Sequence, residues 1–374
     1  MTEDIFFMER ALALAERGVG KVNPNPLVGA VIVKGGTIIG EGWHEAFGGL
    51  HAERRALENC RESAEGSTLY VTLEPCCHYG KTPPCTEAIL AHKIGRVVIG
   101  APDPNPLVAG KGSRILREAR ISVTEGVLRK KCEEINRIFF HYIQTKTPYV
   151  TMKYAMTMDG KTATWAGHSK WITENPARVR VHEDRNRHMA IMTGRGTVEA
   201  DNPMLNCRIP DGRSPIRLIC DTRLRTRDTA AVVTTAGEIP TWFLTCCKDA
   251  GKQAIYETHG CRVLTVPEKE GHVDLRQAVR LLGEEGIDSI YLEGGSGLHA
   301  SALEAGIVQE IHCYIAPKLF GGTDAMTPIG GPGVEFPSQA VRMRIRNVSF
   351  YGEDVLIESR VEQGEEVKRC LPES

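Results

Sequence analysis

The spacing of apolar residues over the first 143 positions alternates between helical and strand-like patterns. Ile5, Met8, Leu12 and Ala15 recur at the period of an amphipathic helix and predict one over 4–17. Further helices are predicted from near 51, after 85, after 100 and over 127–143. Strands are predicted at 27–33, 37–42, 68–73 and 96–100, the first two joined as a hairpin. This order predicts a sheet with helices packed on it.

A second α/β pattern begins after Pro148, because the residue before a proline disfavours helix and ends the first pattern. Helices of this half are predicted at 175–187 and after the glycines near 295. Strands are predicted at 149–155, 189–193, 216–220, 230–234, 241–245, 288–292, 309–315 and within 342–360. We therefore expect an α/β chain with domains at 1–146 and 149–364, followed by a polar, mobile tail at 365–374.

Composition narrows the class of protein. The 374 residues carry a net charge of −1, so no basic surface for nucleic acid is expected. No apolar run reaches the ~20 residues that cross a bilayer, and the N-terminus lacks the pattern of a signal peptide. We therefore expect a cytoplasmic protein that uses neither a membrane nor a nucleic acid. In that reducing compartment, clustered members of the 12 cysteines favour metal binding over disulfides.

One cluster has the residue types of a catalytic zinc site. His51 opens the run His-Ala-Glu, and Cys76 and Cys85 each follow a proline. One imidazole and two thiolates leave a fourth position of zinc open for water, whose pKa the metal lowers. Glu53, two residues after His51, could take a proton from that water and pass it to a leaving amine. Zinc deaminases share this plan, although their usual C-x2-C spacing is C-x8-C here.

Other interpretations of the same cluster remain open at this point. Cys76 and Cys85 could form a disulfide, or three cysteines and a histidine could hold a structural zinc, which would leave Glu53 without a role. Cys77 is interpreted as a bystander, because adjacent residues rarely both face one metal. Polar groups predicted in nearby loops could contact a heterocyclic substrate: Asn25, His44, His78 and Lys81.

The second half contains glycine-rich turns that could bind a nucleotide. The run 295–300 fits G-x-G-x-x-A between a predicted strand and a predicted helix, where free backbone amides favour phosphate. The same run is also typical of a tight strand-to-helix turn, and it lies late for a dinucleotide fold. Loops at 155–173 and 192–208 also follow strands, and Arg185 and Arg208 could clamp a phosphate.

Taken together, these runs resemble a known family over nearly the whole chain. The runs are NPNPLVGAVIV, HAE, VTLEPC, HYGKTPPC, DPNPLVAGKG, TMDGKTAT, SKWIT, GTVEADNP, YLEGGS and IAPKLFGG. They are similar to the bifunctional deaminase-reductases of riboflavin biosynthesis, in which the longer loop between the cysteines is expected. The resemblance implies a cytidine-deaminase-like three-layer α/β/α domain followed by a dihydrofolate-reductase-like α/β domain.

The resemblance also implies an activity and its site residues. A phosphorylated diaminopyrimidine would be deaminated with Zn²⁺ held by His51, Cys76 and Cys85, and Glu53 would move the proton. Deaminase substrate contacts would be Asn25, His44, His78 and Lys81. The ribosyl chain would then be reduced with NADPH, near the catalytic residues Lys153 and Glu293. Reductase substrate contacts would be Ser169, Arg185, Leu205, Arg208 and Glu293. NADPH contacts would be Ala155, Trp171, Thr197, Asp201, Thr222, Gly295, Ser296, Gly297, Leu298, His299, Ala300 and Ser301.

Further expectations follow from the same resemblance. The family implies a homodimer or homotetramer. Two competing hypotheses are a deaminase of nucleic-acid bases with a C-terminal binding module, and a zinc-stabilised protein without catalysis. The net charge of −1 disfavours the first.

Overall fold

A computed structural model describes residues 2–79, 83–105 and 108–362. The chain divides into two compact units, 1–146 and 147–374. The predicted tail at 365–374 lies outside the described residues, as does Lys81. Within the described ranges no helix is both long enough and apolar enough to cross a membrane.

Unit 1 is a five-stranded sheet with helices on both faces. Its helices are α1 (Glu3–Ala15), α2 (Ala52–Glu58), α3 (Cys85–Ala91), α4 (Lys111–Glu118), α5 (Arg129–Ile135) and α6 (Arg137–Thr145). Its strands are β1 (Gly29–Lys34), β2 (Thr37–Trp43), β3 (Thr68–Leu73), β4 (Arg96–Ala101) and β5 (Ser122–Glu125). Their order is β2-β1-β3-β4-β5, and β1 runs antiparallel to its neighbours while β3, β4 and β5 are parallel.

Side chains that alternate between the two faces of the sheet in unit 1 produce a three-layer arrangement of helices, sheet and helices. On β1, Ala30 and Ile32 pack with α2, α3 and α4 on one face, whereas Val31 and Val33 pack with α1, α5 and α6 on the other. Successive strand residues point to opposite faces, so a run that is apolar at every position is buried on both sides. The apolar stretch 28–33 is therefore a central strand.

Helix α2 lies unusually close to β2 because two strand positions lack a side chain. A Cβ on Gly42 would lie 2.4 Å from the Ala56 nitrogen and 2.5 Å from the Ala52 carbonyl oxygen. A Cβ on Gly40 would lie 2.4 Å from the Ala56 carbonyl oxygen. These distances are shorter than any tolerated contact, so glycine is required at both positions. The close approach fixes the start of α2, and with it His51, against the sheet.

Unit 2 is a nine-stranded sheet. Its helices are α7 (Asn175–Arg187), α8 (Arg195–Asp201), α9 (Ala231–Thr234), α10 (Ala250–Glu257), α11 (Leu275–Glu284) and α12 (Ser296–Glu304). The strands of the sheet are β6 (Tyr149–Thr157), β7 (Ala190–Gly194), β8 (Ile216–Cys220), β9 (Thr241–Thr245), β10 (Arg262–Thr265), β13 (Ser289–Leu292), β14 (Glu310–Ala316), β15 (Met343–Tyr351) and β16 (Asp354–Val361). Two short strands between β10 and β13 in the chain, β11 (Glu268–Lys269) and β12 (His272–Val273), form a separate antiparallel ribbon. The order is β10-β9-β8-β7-β13-β6-β14-β16-β15, parallel from β10 to β14 and antiparallel beyond.

Two predicted elements of the chain differ in the structure. The run 230–234, predicted as a strand, is the helix α9, whose Val232 and Val233 are fully buried. Periodicity cannot separate a short buried strand from a short buried helix. The predicted helix over 127–143 is two helices that meet at Asn136, whose side chain exchanges hydrogen bonds with the backbone of Leu27 at 2.7 and 2.9 Å. Further elements were not predicted from the sequence: β5, β10 to β12, α10 and α11.

The buried carboxylate of Glu74, directly after β3, fixes the start of α4. It accepts hydrogen bonds from the backbone N–H groups of Gly110 at 3.0 Å, Ser113 at 3.1 Å and Asp103 at 3.4 Å. Amides of a first helical turn have no partner within the helix, so a carboxylate placed there satisfies them. Glu74 thereby connects the end of β3, which leads to Cys76, with the segment that follows β4.

We predict that Glu74→Gln loosens the start of α4, because the amide group offers one acceptor oxygen where the carboxylate offers two. Hydrogen exchange at the Gly110 and Ser113 amides should be faster by about tenfold or more. Glu16→Gln, at an exposed position of the same unit, is the matched control and should leave those rates unchanged. Equal rates in the two variants would show that Glu74 does not hold this segment.

Candidate functional site

Three potential metal ligands of unit 1 meet at one point. His51 precedes α2, Cys76 follows β3, and Cys85 is the first residue of α3. The Nδ1 atom of His51 lies 3.4 Å from the Sγ atom of Cys76 and 3.4 Å from that of Cys85. Tetrahedral zinc with these donors separates its ligand atoms by roughly 3.6 Å. The donor set and its spacing therefore fit zinc.

The local electrostatics favour a thiolate at Cys76. Its sulfur accepts a hydrogen bond from the Cys85 backbone N–H at 3.3 Å and also contacts the Cys85 and His51 side chains. The hydrogen bond with the Cys85 side chain and the contact with His51 lower the pKa of Cys76 to about 4. Cys77 is not one of the three clustered donors. The geometry therefore assigns the metal-binding role to Cys76 and Cys85 rather than Cys77.

A cavity of about 350 Å³ opens beside the three ligands. Glu53 lies in its wall at 3% exposure, and burial raises the pKa of its carboxyl group. Three of the predicted substrate contacts line the same cavity: Asn25, His44 and His78. The fourth, Lys81, lies outside the described residues.

Hydrogen bonds orient Asn25 towards a ligand. The Nδ1 atom of His44 lies 3.0 Å from the Leu50 carbonyl oxygen and must donate its proton there. Burial lowers the pKa of His44, so its Nε2 atom keeps a lone pair, which accepts from the Asn25 amide nitrogen at 3.1 Å. The amide oxygen of Asn25 is thereby left to accept a hydrogen bond from a ligand N–H group.

Asp103 and Asn105 are among the polar residues of this cavity that were not predicted from the sequence. Burial raises the pKa of Asp103 to about 6. The sequence contains a signal for Asn105, because Pro104-Asn105-Pro106 repeats the run Pro24-Asn25-Pro26. Two Pro-Asn-Pro segments thus contribute an asparagine to one cavity.

A cavity of about 530 Å³ in unit 2, named cavity A, gathers most of the predicted reductase residues. Its lining includes Lys153, Ala155, Ser169, Trp171, Arg185, Thr197, Asp201, Leu205, Arg208, Glu293, Gly295, Ser296 and His299. These residues come from β6, α7, α8, the start of α12 and the loops that follow strands. Ligands of α/β sheets bind at this carboxyl edge.

A largely buried charge cluster, with side-chain exposures of 12% to 17%, lies in the wall of cavity A. The Arg185 side chain donates to both Glu293 oxygens, to Oε1 at 2.6 Å and to Oε2 at 3.0 Å. The Oε2 atom also lies 3.6 Å from the Lys153 ammonium nitrogen. Burial alone would favour the neutral acid, but the charges of Arg185 and Lys153 lower the pKa of Glu293 to about 2. Glu293 is therefore ionised at neutral pH and holds two cations at the cavity.

A second cavity of unit 2, cavity B, has a volume of about 640 Å³. The remaining predicted cofactor residues line it: Thr222, Gly297, Leu298, Ala300 and Ser301. The start of α12 therefore faces both cavities, with Gly295, Ser296 and His299 on cavity A. His299 fixes this turn, because its Nε2 atom accepts from the Gly294 backbone N–H at 3.1 Å and its Nδ1 atom donates to Pro328 at 2.9 Å.

A second group with metal-ligand side chains, Glu310, His312 and Glu358, is an ion-pair network instead. His312 is fully buried and bonds Asp184 at 3.0 Å through Nδ1 and Glu310 at 2.9 Å through Nε2. Burial opposes the charged ring, but the charge of Asp184 and its hydrogen bond raise the pKa of His312 to about 9. Both ring nitrogens are donors in that form and neither can bind a metal.

Both units match known protein families. Residues 1–101 match the family described as the cytidine and deoxycytidylate deaminase zinc-binding region, and residues 148–357 match the RibD C-terminal domain. The riboflavin biosynthesis protein RibD of Actinobacillus pleuropneumoniae is 52% identical over 355 residues, which cover 95% of this chain and 94% of that protein. The RibD protein of Escherichia coli is 40% identical, over 95% of this chain and 98% of that one.

Solved structures agree with the sequence matches. A Thermotoga maritima structure, described as a diaminohydroxyphosphoribosylaminopyrimidine deaminase/5-amino-6-(5-phosphoribosylamino)uracil reductase, has a TM-score of 0.87 and 38% identity and covers 96% of this chain. RibD of Acinetobacter baumannii has a TM-score of 0.87 and 35% identity. The expected cytidine-deaminase-like and dihydrofolate-reductase-like folds are thereby confirmed. The chain belongs to the RibD family, the bifunctional deaminase-reductases of riboflavin biosynthesis.

Proposed function

We propose that this chain catalyses two consecutive steps on one phosphorylated pyrimidine. The domain at 1–146 deaminates 2,5-diamino-6-(5-phosphoribosylamino)pyrimidin-4(3H)-one, and the domain at 149–364 reduces the ribosyl chain to ribityl with NADPH. The product is 5-amino-6-(5-phosphoribitylamino)uracil. The observation that supports this most is the meeting of His51, Cys76 and Cys85 beside a cavity walled by Glu53, in a chain whose second unit has its own charged cavity.

The deamination follows from the groups that line the first cavity. His51, Cys76 and Cys85 would hold zinc, which when bound supplies Lewis-acid chemistry that makes water nucleophilic at neutral pH. The Glu53 carboxylate takes a proton from the attacking water and delivers one to the departing amine. The Asn25 amide oxygen accepts a hydrogen bond from a ring N–H group and so orients the pyrimidine. The apolar part of the cavity lining excludes bulk water.

We predict that Glu53→Gln keeps the zinc but loses deamination by about 10²-fold or more, because glutamine cannot carry the proton. Cys85→Ser should lose both zinc and deamination. Cys77→Ser, next to a ligand, and Glu58→Gln, exposed on the same helix as Glu53, are the matched controls and should keep both. The measurements are zinc per chain and release of ammonia. Deamination at the normal rate in Glu53→Gln would contradict the proton-transfer role.

The reduction uses the charge cluster of cavity A. The ribosyl ring must open before its first carbon can accept a hydride, and NADPH supplies that hydride. The Lys153 ammonium, held beside Glu293, donates a proton to the ring oxygen as the ring opens. Arg208, with the N–H groups of Arg185 that neither Glu293 nor the Asn206 carbonyl oxygen uses, receives the 5-phosphate. Ser169 and Leu205 line the same cavity and contact the substrate.

Cavity B supports NADPH rather than NADH as the reductant. Arg223 and Arg225 line it, are exposed, and have no ion-pair partner within the described ranges. The buried carboxylate of Asp221 fixes the conformation of their loop. It accepts hydrogen bonds from the backbone N–H groups of Arg225 and Thr226, both at 2.7 Å. The two guanidinium groups match the 2′-phosphate that distinguishes NADPH from NADH.

We predict that Arg225→Gln weakens NADPH binding by about tenfold and leaves NADH binding almost unchanged, because only NADPH presents the 2′-phosphate. Arg227→Gln, exposed on the same loop but not lining cavity B, is the matched control. The measurement is the dissociation constant of each cofactor from its fluorescence on binding. An equal loss for both cofactors, or no loss for either, would contradict this assignment.

Two further expectations belong to this proposal. A homo-oligomer is supported by the edge strand β15, which exposes the apolar side chains of Met343, Ile345, Val348 and Phe350. Such a strand is a surface that proteins usually cover. The cytoplasmic location stays a prediction from the sequence.

A further inference from the structure

His182, on α7, is a buried histidine that lines cavity A and has one unpaired ring nitrogen within the described residues. The residue is 8% exposed and belongs to the lining of that cavity. Its buried Nδ1 atom has no hydrogen-bond partner within the part of the chain that the structure describes. Buried polar atoms are nearly always paired, so this atom calls for an explanation.

Two guanidinium groups and one carboxylate surround His182. Arg185 is three residues further along the same helix, and therefore on the same face, while Arg208 and Glu293 approach from two other segments. Burial, and then the charges of Arg185 and Arg208, lower the pKa of His182 to about 4. The Glu293 carboxylate and the backbone carbonyl of Asn206 act in the opposite direction. The ring is therefore neutral at pH 7 in the ligand-free protein.

The arginines alone do not complete a phosphate clamp. Arg185 already uses three of its five N–H groups, two on Glu293 and one on the Asn206 carbonyl oxygen at 2.9 Å. Arg208 is exposed, and within the described residues its one side-chain hydrogen bond goes to the Asn206 side-chain oxygen at 3.2 Å. A phosphate at this wall would thus meet one largely available guanidinium group, part of a second, and an imidazole whose Nδ1 atom is unpaired within the described residues.

We propose that His182 is the third ligand of the substrate phosphate and takes up a proton from solvent when the phosphate binds; this inference rests on the proposed function of unit 2. A phosphate monoester is largely dianionic at pH 7. Its charge offsets those of Arg185 and Arg208, which add to the effect of burial in lowering the pKa of the free His182 ring. The protonated ring gains an N–H donor where the neutral ring offers only a lone pair, so binding satisfies the orphan atom.

This coupling has a definite sign. His182 has a low pKa in the free protein and is proposed to have a higher pKa in the phosphate complex. The complex therefore holds one more proton than the free protein. Binding therefore tightens as the pH falls from about 8 to about 6.5, a range above the second pKa of a phosphate monoester, which is about 6. A ligand without the phosphate has no such dependence.

The experiment uses the full chain with ribose 5-phosphate as the probe and ribose as its unphosphorylated counterpart. Titration of the His182 ring protons by NMR, assigned by their absence in His182→Asn, should show a pKa that rises by more than about one unit when ribose 5-phosphate is added. His182→Asn should bind ribose 5-phosphate about tenfold more weakly near pH 6.5 and lose the pH dependence. His259→Asn, exposed at the end of α10, is the matched control and should behave as the unchanged protein.

NADPH affinity separates this role from a structural one. His182→Asn should bind NADPH normally, which shows that unit 2 is intact. The inference is overturned if ribose 5-phosphate leaves the His182 resonance unmoved, or if His182→Asn binds it with normal affinity and pH dependence. If the unchanged protein binds neither NADPH nor ribose 5-phosphate, the proposed reductase function fails and this inference fails with it. Normal NADPH binding with an unmoved His182 resonance overturns the histidine's role alone.

Discussion

The close packing of α2 on β2 is the contact on which the deaminase site depends. Gly40 and Gly42 remove the side chains that would hold the two apart, and the helix backbone fills their place. His51, at the start of α2, can then reach the thiols of Cys76 and Cys85, which arrive from β3 and α3. A side chain on either glycine would move one ligand relative to the other two. Metal sites tolerate only a few tenths of an ångström of such displacement.

The second unit depends on an electrostatic constraint of the same kind. A buried carboxylate costs several kcal/mol of solvation unless cations and hydrogen bonds replace the water. Glu293 meets this requirement with Arg185 from α7 and Lys153 from β6, and so ties a helix and two parallel strands together at the wall of cavity A. The same pairing explains why Arg185 has few N–H groups left for a phosphate. The proposed role of His182 follows from that shortage.

Local patterns in the sequence predicted what depends on short spacings. The run His-Ala-Glu and the two Pro-Cys pairs identified the metal ligands, and the glycine-rich turn before α12 identified part of two cavities. The partners of Glu293, the unpaired Nδ1 atom of His182 and the position of Asp103 could not be predicted. They depend on side chains more than 25 residues apart in sequence or on side-chain burial. The run 230–234 was assigned wrongly because Val232 and Val233 are buried in either conformation.

The central claim is that one chain first removes an amine and then reduces the sugar of the same molecule. Mass spectrometry of the purified full chain with the diaminopyrimidine substrate, with and without NADPH, tests this most directly. Without NADPH the account predicts a single product in which a carbonyl replaces the amine. With NADPH it predicts that the deaminated product alone gains two hydrogens. Reduction of the substrate before deamination, or no change in mass under either condition, would contradict the account.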